Sequence, residues 1–371
     1  MITVGVDAHK KTHTLVAVDQ VGHRLAEVTL AATTAGHLRA VQWADALATV
    51  GGNGDRQPVR FAVEDCRHLT RRLEADLLRS GEQVARVHTH LMAAARRGSR
   101  RPGKSDPIDA EAVALAALRE PDLPVAQLDG PSREVKLLTD ARADLVVQRT
   151  QAASRLRWFL HELNPELVVP PRGLRRTVVV AALATWLADV EGVVARLARD
   201  LLSRIAELNS QIKQLEREVR GRVRALAPSL LEVPGCGETT AAVLLGETAD
   251  VRRFRSADGY ARFTGTAPIP VWSGNTERVR LNRGGNRTTN CALHTIAMTQ
   301  AARGIGGGKD YVDKQLTRGK TRTEALRLLR RRLSDRVYAA LRADAPSLAA
   351  DSPQAEQQHA GGPSAGVNRA A

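Results

Sequence analysis

Residues 2–30, ITVGVDAHKKTHTLVAVDQVGHRLAEVTL, decide the fold of the first part of the chain. Apolar residues alternate with other residues from Ile2 to Val6, and two further extended stretches follow at residues 14–18 and 24–30. Turn-forming residues separate the last two stretches. The pattern therefore predicts a meander of three short strands.

Helical and extended patterns alternate after this meander. The periodicity predicts, in chain order, a helix over 34–49, a strand over 59–63, a helix over 69–78, a strand over 84–88 and a helix from Pro107. The complete order, βββαβαβ followed by a helix, is that of the ribonuclease-H-like fold. We expect an α/β domain of this class over residues 1–125.

The remainder of the chain is predicted to be mostly helical. A helical and coiled-coil region covers 126–227, and within it residues 194–226 carry a heptad pattern. The pattern favours a two-stranded coiled coil between subunits, although a helix that folds back on the helix predicted at 132–163 would use the same stripe. A mostly α domain is expected over 228–341, and a disordered tail, rich in Ala, Pro, Gly, Ser and Gln, over 342–371.

The composition indicates a polyanionic partner. The 371 residues include 55 Lys and Arg against 40 Asp and Glu, a net charge of +15, and cations set against phosphates release condensed counterions. The longest apolar stretch, 178–188, is short of the roughly 20 residues that span a bilayer, and no export signal begins the chain. Three widely separated cysteines fit a reducing compartment, so we expect a cytoplasmic protein without a membrane segment.

Four carboxylates stand at the ends of predicted elements. Asp7 ends the first strand, Glu64 ends the fourth, and Asp106 and Asp109 open a helix on one face. Phosphodiester chemistry uses such clusters because hard carboxylate oxygens hold two Mg²⁺ ions about 4 Å apart. Asp106 and Asp109 also fit an ordinary helix start. Polar ends on apolar strands favour the metal site, with Asp65 beside Glu64 as an alternative ligand.

Three segments carry phosphate-binding patterns. Residues 95–104 hold five cations and no acid, which beside the carboxylates favours a phosphate clamp over a solvated loop. Residues 233–237, VPGCG, precede an apolar helical pattern and resemble a helix-hairpin-helix element, although a plain helix entry has the same pattern. Basic residues also interleave with Gly and Asn over 278–287. The candidate nucleic-acid contacts are Arg96, Arg97, Arg100, Arg101, Lys104, Gly235, Gly237, Arg278, Arg280, Arg283, Asn286 and Arg287.

In combination these motifs resemble the DEDD transposases of the insertion-sequence 110 family. The resemblance covers about residues 2–340. It implies a RuvC-like N-terminal domain, a coiled coil and a C-terminal transposase domain in a bacterial, nucleoid-associated recombinase. It also implies binding to donor and target DNA and to a structured bridge RNA that guides the enzyme by base-pairing with both. The motifs that carry it are Asp7, Glu64, KSDPIDA at 104–110, PGCG at 234–237, Ser273-Gly274 and RGGNR at 283–287.

Carried over by position, the family's acidic tetrad falls on Asp7, Glu64, Asp106 and Asp109, and its nucleophilic serine falls on Ser273. The resemblance implies Mg²⁺ or Mn²⁺ as cofactor and a homodimer that assembles into a tetramer. The expected reaction is attack of Ser273 on a scissile phosphate, with a phosphoserine intermediate and no need for ATP.

The sequence departs from the family pattern at three places. Trp272 stands where a second serine is frequent, which leaves Ser273 as the one serine at that site. Gly284-Gly285 replaces a more basic run, and Asp65-Cys66 replaces the small residues usual after the glutamate. The last two departures change residues that would contact phosphate in the family pattern.

Two other functions fit parts of the sequence. A RuvC-like metal-dependent endonuclease or resolvase would use the same tetrad with water as nucleophile, so that Ser273→Ala would still cut DNA. A non-catalytic DNA-binding coiled-coil protein, such as a repressor, would use the basic stretch Arg318 to Arg336 and would tolerate Asp7→Ala.

Overall fold

The computed structural model describes residues 1–49, 57–89, 91–92, 95, 103, 105–120, 123, 125–126, 128–274, 276–282 and 284–350, with the backbone alone at 67–68, 273, 276–279 and 346–350. The chain divides into two compact units, Met1–Asp129 and Gly130–Ala371. The first contains β1 (Ile2–Ala8), β2 (Thr12–Val18), β3 (Arg24–Ala31), α1 (Thr34–Thr49), β4 (Val59–Glu64), α2 (Arg67–Arg79), β5 (Gln83–Val87) and α3 (Asp106–Arg119).

Five strands form one mixed sheet in the first unit, in the order β3-β2-β1-β4-β5. β2 pairs antiparallel with both β1 and β3, whereas β4 runs parallel to both β1 and β5. The predicted three-stranded meander and the alternation of helices and strands after it are confirmed. The N-terminal part is therefore a mixed α/β structure.

Successive side chains of β1 point to opposite faces of the sheet. Val4 and Val6 pack into the core that contains the buried alanines of α1. On the other face Gly5 lies against α3, where an added Cβ would lie 2.5 Å from the Ala114 backbone nitrogen and would overlap the Ala110 carbonyl oxygen. Gly5 therefore allows α3 to pack directly on β1, which a residue with a side chain would prevent.

The second unit is mostly helical. Helices α4, α5 and α6 share one apolar core, and a second core around Tyr260 joins α8, α9, α10 and α12. No helix in the described part of the chain is both long and apolar enough to cross a membrane. The elements are α4 (Ser132–Leu163), α5 (Thr177–Ala188), α6 (Val193–Leu226), α7 (Pro228–Leu231), α8 (Glu238–Thr248), α9 (Ala257–Phe263), β6 (Ile269–Ser273), β7 (Thr276–Arg280), α10 (Arg287–Arg303), α11 (Gly308–Thr317) and α12 (Arg322–Ala350).

The apolar stripe of α6 packs against another helix of the same chain. α6 packs antiparallel to α4: Arg142 Nε donates to Glu216 Oε1 at 2.9 Å, and Arg149 Nη1 donates to Asn209 Oδ1 at 3.1 Å. Ile205, at the centre of the stripe, is 0% exposed. The expected coiled coil between subunits is not confirmed, because α4 already covers the stripe. The structure instead agrees with the alternative, in which α6 folds back on the helix at 132–163 of the same chain.

Helix α12 continues to Ala350, past residue 342, where the composition predicts a disordered tail. Leu341 and Ala345 are buried, and Asp344 accepts hydrogen bonds from the Ser229 backbone nitrogen at 3.1 Å and from Ser229 Oγ at 2.8 Å. Tertiary packing therefore orders this segment, which its composition does not predict. The rest of the predicted tail, 351–371, lies outside the described residues.

Candidate active site

Two of the predicted metal ligands lie at the carboxyl ends of neighbouring parallel strands. Asp7 and Glu64 each follow the last residue pair of the ladder that joins β1 to β4. Two residues earlier, Gly5 and Ala62 pack against α3. Because strand residues alternate between faces, Asp7 and Glu64 lie at one edge of the sheet and on the face that α3 covers.

The other two carboxylates come from the first turn of α3. Ser105, which is extended with φ −155°, occupies the cap position, so Asp106 is the first helical residue and helix capping does not explain it. Asp109 is only 6% exposed, whereas Asp106 lies at the surface. The close approach at Gly5 brings this turn beside Asp7.

The Asp7 carboxyl group lies in a negative environment. Burial raises its pKa above the ordinary value, the carboxylates of Asp109 and Asp106 raise it as well, and the neighbouring His9 opposes the increase. A divalent cation would relieve this repulsion between like charges. Because the donor set is rich in carboxylate oxygens, these residues fit a hard divalent ion.

His9 is a functional candidate that the sequence interpretation missed. Its Nε2 lies 3.1 Å from Asp7 Oδ2 and 3.4 Å from Asp106 Oδ1. One ligand atom from each of these three residues lies within 4.8 Å of the others, and this triplet does not include Glu64 or Asp109. The signal in the sequence was the spacing, since residues 7 and 9 share one side of an extended chain.

Ser273 lies in the second unit, at the tip of a two-stranded hairpin. It ends β6 and pairs with Thr276 of β7, so the hairpin turns directly after it. Gly274 has a φ of +57°, a left-handed conformation that glycine adopts readily and that two-residue hairpin turns use. Trp272 is 68% exposed, so the chain next to Ser273 is accessible. The Ser273 side chain and Asn275 lie outside the described part.

Two of the predicted basic contacts are described and exposed. Arg280 ends β7, and Arg287 begins α10. The other basic candidates lie outside what the structure describes, either entirely (Arg96, Arg97, Arg100, Arg101, Lys104 and Arg283) or in their side chain (Arg278).

Asn286, predicted as a nucleic-acid contact, has structural partners. Its Oδ1 accepts a hydrogen bond from the Thr289 backbone nitrogen at 2.9 Å and so caps α10. Its Nδ2 donates to Glu247 Oε2 at 2.7 Å. Both ends of the side-chain amide therefore hold the start of α10.

The glycine turn before α8 also has a structural role. Gly235 has a φ of +82°, and an added Cβ would lie 3.3 Å from the Ile296 carbonyl oxygen. Gly237 is exposed and precedes α8, whose first turn holds Glu238. Arg220 Nε and an Arg224 Nη donate to Glu238 at 2.8 and 2.9 Å. The helix-hairpin-helix interpretation is not confirmed, since α7 has four residues and a carboxylate occupies the α8 N-terminus.

Comparisons with known proteins match both units. A DEDD-type family model described as transposase matches residues 4–165, and the model of the transposase IS116/IS110/IS902 family matches residues 227–313. The IS116 uncharacterized 44.8 kDa protein of Streptomyces clavuligerus is 30% identical, over 92% of this chain and 94% of that protein. The IS900 uncharacterized 42 kDa protein of Mycobacterium paratuberculosis is 26% identical, over 92% and 96% of the two chains.

Two further matches are more limited. The transposase for insertion sequence element IS1328 of Yersinia enterocolitica is 27% identical, over 58% of this chain and 65% of its own. Among solved structures, T. thermophilus RuvC in complex with a Holliday junction substrate is 15% identical, with a TM-score of 0.23 over 33% of this chain and 94% of that chain. A TM-score this low carries no argument.

The two family models define the class, since both are models of transposases and together they match parts of both units. With a relative that is 30% identical over nearly the whole of both proteins, the chain belongs to the IS110 family of insertion-sequence transposases.

Proposed function

We propose that this transposase is a site-specific recombinase that moves its own insertion element, with a divalent metal at the carboxylates and Ser273 as nucleophile. The observation that carries the proposal is the placement of Asp7, Glu64, Asp106 and Asp109 around one edge of the sheet. The strand order β3-β2-β1-β4-β5 supports a ribonuclease-H-like, RuvC-like first unit.

The four carboxylates would hold Mg²⁺ or Mn²⁺, and the His9 imidazole offers a nitrogen donor beside them. When bound, the metal stabilises negative charge on phosphate oxygens and lowers the pKa of an attacking hydroxyl. Gly5 contributes indirectly, because the close packing it permits fixes where Asp106 and Asp109 stand.

The proposed reaction conserves the energy of the phosphodiester bond. A serine hydroxyl is a weak nucleophile until its proton is removed. The Ser273 Oγ forms a bond to the scissile phosphorus, the bond from phosphorus to one deoxyribose oxygen breaks, and that oxygen takes up a proton to become a free hydroxyl. The Ser273 proton passes to a carboxylate of the cluster. Reversal of the same step on another DNA end rejoins the strands without ATP.

We further propose that each active site is composite, with carboxylates from one subunit and Ser273 from another. Asp7 and Ser273 belong to different compact units of the chain, so the two halves of the site are carried by separate units, and their supply by two subunits rests on the family resemblance. A homodimer that assembles into a tetramer would then couple cutting to assembly, because neither half-site could act alone.

The proposed partners are donor DNA, target DNA and a structured guide RNA. The net charge of +15 supports polyanionic partners in general, and the guide RNA rests on the family resemblance. Expression together with the non-coding DNA that flanks the gene should yield a complex that retains a defined RNA through ion-exchange steps. Recovery of protein without RNA that still recombines at the correct sites would contradict guidance.

The decisive experiment captures the covalent intermediate. Wild-type protein, Ser273→Ala and the matched control Ser210→Ala, an exposed helical serine, are incubated with metal and a nicked DNA substrate that traps cleavage intermediates. We expect a protein–DNA adduct at Ser273 by mass spectrometry, its loss in Ser273→Ala only, and restored recombination when inactive Asp7→Asn and Ser273→Ala proteins are mixed. Asp45→Asn controls for the charge change at Asp7.

Three outcomes would overturn parts of the proposal. DNA cutting without any adduct would leave the nuclease that uses water. Normal recombination by Asp7→Asn would place the metal site elsewhere. DNA binding without cutting, unchanged by Asp7→Ala, would leave a non-catalytic binding protein.

A further inference from the structure

A basic cavity of about 380 Å³ lies at the base of the β6–β7 hairpin. Residues 265–268 and 280–282, which flank the hairpin, supply part of the lining, and residues 320–331 at the start of α12 supply the rest. Five cations and one carboxylate line it, namely Arg280, Lys320, Arg327, Arg330, Arg331 and Glu324.

Much of this positive charge is not neutralised within the protein. Arg331 is paired, with Asp258 at 2.6 Å and with Asp335. In contrast, within the described part of the chain no salt bridge joins the side chains of Arg280, Lys320 or Arg327 to an acidic residue. Hydrogen bonds from Thr321 and the nearby charges of Lys320 and Arg327 lower the pKa of Glu324, so this one carboxylate offsets part of the charge and the cavity keeps an excess of cations for a bound group.

Arg330 makes the cavity a prepared anion site. Its Nη1 donates to the neutral Asn290 Oδ1 at 2.6 Å, and its Nε is buried with no hydrogen-bond partner among the described residues. Burial lowers the pKa of Arg330, and the charge of Arg327 lowers it further. The residue as a whole is half-buried, and a partly desolvated guanidinium without a countercharge costs free energy that a bound anion would offset.

The volume of the cavity and its apolar lining indicate which class of anion it would bind. A cavity of about 380 Å³ falls within the range of small-molecule pockets, roughly 300–1,000 Å³, and exceeds what an isolated phosphate requires. Ala267, Pro268, Leu281 and Leu328 add apolar surface next to the cations. Sites for single-stranded nucleic acid combine these features, because the bases stack on apolar or guanidinium surfaces while cations follow the backbone.

We propose that this cavity holds one unstacked nucleotide of single-stranded DNA, with its phosphate at Arg327 and Arg330. The inference rests on the proposed cutting of DNA by Ser273, which is carried by the same hairpin. At about 3.3 Å of rise per residue, the strand from Ile269 to Ser273 spans about 13 Å. The bound nucleotide would therefore lie within a few nucleotides of the scissile phosphate.

The test is equilibrium binding of a fluorescent twelve-residue oligothymidylate by the full chain in EDTA, where no cutting occurs. Arg327→Gln and Arg330→Gln should each weaken binding about tenfold and reduce the salt dependence by about one ion. Arg342→Gln, an exposed arginine on the same helix, is the matched control and should bind as wild type does. Photocrosslinking of bromodeoxyuridine oligonucleotides should map to residues 265–268 or 320–331.

Two results would overturn the proposal. In the first, Arg327→Gln and Arg330→Gln, both folded by circular dichroism, bind the oligonucleotide as tightly as Arg342→Gln. In the second, oligouridylate binds more tightly than oligothymidylate and depends more on Arg327, which would assign the cavity to RNA. If the wild type forms the Ser273 adduct and the cavity variants bind the oligonucleotide normally, then only the proposed role of the cavity is refuted. If the cavity variants bind weakly and the wild type forms no adduct, then only the serine mechanism is refuted.

Discussion

The two units hold their candidate functional residues by different means. In the first, the carboxylates lie on a five-stranded sheet and on a helix packed directly against its central strand. In the second, Ser273 lies at the tip of a hairpin of two strands, whose residues Ile269 and Trp272 are 42% and 68% exposed. A two-stranded hairpin has little stability of its own in water, so its position depends on how its base is held.

The base of the hairpin is held by backbone packing. Gly285 lies so close to Gly265 that an added Cβ would overlap it, and Asn290 Nδ2 donates to the Thr264 carbonyl at 2.8 Å. The rigid support of the carboxylates agrees with their proposed role, because metal ligands require fixed geometry. Under the proposed mechanism Ser273 would have to reach a phosphate and then exchange strands, which requires a carrier that can move.

Gly5→Ala should have the largest effect, because it disturbs the packing that holds the proposed metal ligands. The new Cβ would meet backbone atoms of Ala110 and Ala114, which cannot rotate away, so α3 must shift. Overpacking of this kind costs about 1–3 kcal/mol of stability. Displacement of Asp106 and Asp109 by about 1 Å should lower DNA cutting on the order of 100-fold.

Gly130→Ala is the control for this substitution, since an added Cβ there has no atom within 4 Å. Both variants are compared by urea unfolding, by calorimetry with Mn²⁺ and by DNA cutting. Equal Mn²⁺ affinity and equal cutting by the two variants would show that the packing of α3 on β1 does not position the site.

The second largest effect should be a loss of stability at acid pH that is confined to the first unit. His13 is 3% exposed and stacks on His37 with ring centroids 5.2 Å apart. Burial, followed by the charges of His37 and His9, lowers the pKa of His13 to about 4. Below its unfolded pKa of about 6.5 the unfolded chain binds the extra proton, so the free energy of unfolding of the first unit falls between about pH 6.5 and 4, by on the order of 3 kcal/mol at most.

Hydrogen exchange of β1 and β2 amides at pH 7 and 4.5, corrected for intrinsic rates, measures this loss. Protection of α4 and α6, whose one histidine, His161, is exposed, should change less. His13→Leu should flatten the dependence in β1 and β2. An unchanged slope in this variant would assign the acid sensitivity to other groups.

The sequence predicted what local periodicity encodes. Alternation identified the strands, and polar residues after apolar strands singled out Asp7 and Glu64 as candidate ligands, because strand ends are local features of the chain. His9 could have been found by the same alternation. The heptad of α6 correctly predicted an apolar stripe but could not identify the helix that covers it, since intramolecular and intersubunit packing require the same periodicity.

Features that join distant parts of the chain could not be predicted. The role of Gly5 depends on where α3 packs, and the basic cavity combines residues near 265–268 with Arg327 and Arg330. The order of α12 beyond residue 342 depends on contacts such as the one between Asp344 and Ser229. Each of these is a tertiary contact with no periodic signature.

The smallest expected effect comes from a comparison of two adjacent glycines, which are closely matched controls for each other. A Cβ added to Gly285 would lie 3.0 Å from the Thr264 carbonyl carbon and would overlap Gly265, whereas at Gly284 the nearest atom, Asn282 Oδ1, is an ordinary 3.6 Å away. Gly285→Ala should therefore lower the free energy of unfolding of the second unit by about 1–2 kcal/mol and reduce adduct formation at Ser273. Gly284→Ala should stay within about 0.5 kcal/mol of wild type.

This pair isolates packing at the base of the hairpin. Because Gly→Ala restricts the unfolded chain similarly at neighbouring positions, the difference between the two variants reports the overlap in the folded state. Urea unfolding gives the stability difference, and adduct yield gives the functional one. If Gly285→Ala lowers stability but leaves the adduct yield equal to that of Gly284→Ala, then the base does not control the tip, and the hairpin is mobile enough for the DNA itself to position Ser273. If both quantities fall together, the contact between Gly265 and Gly285 fixes the position from which the serine acts.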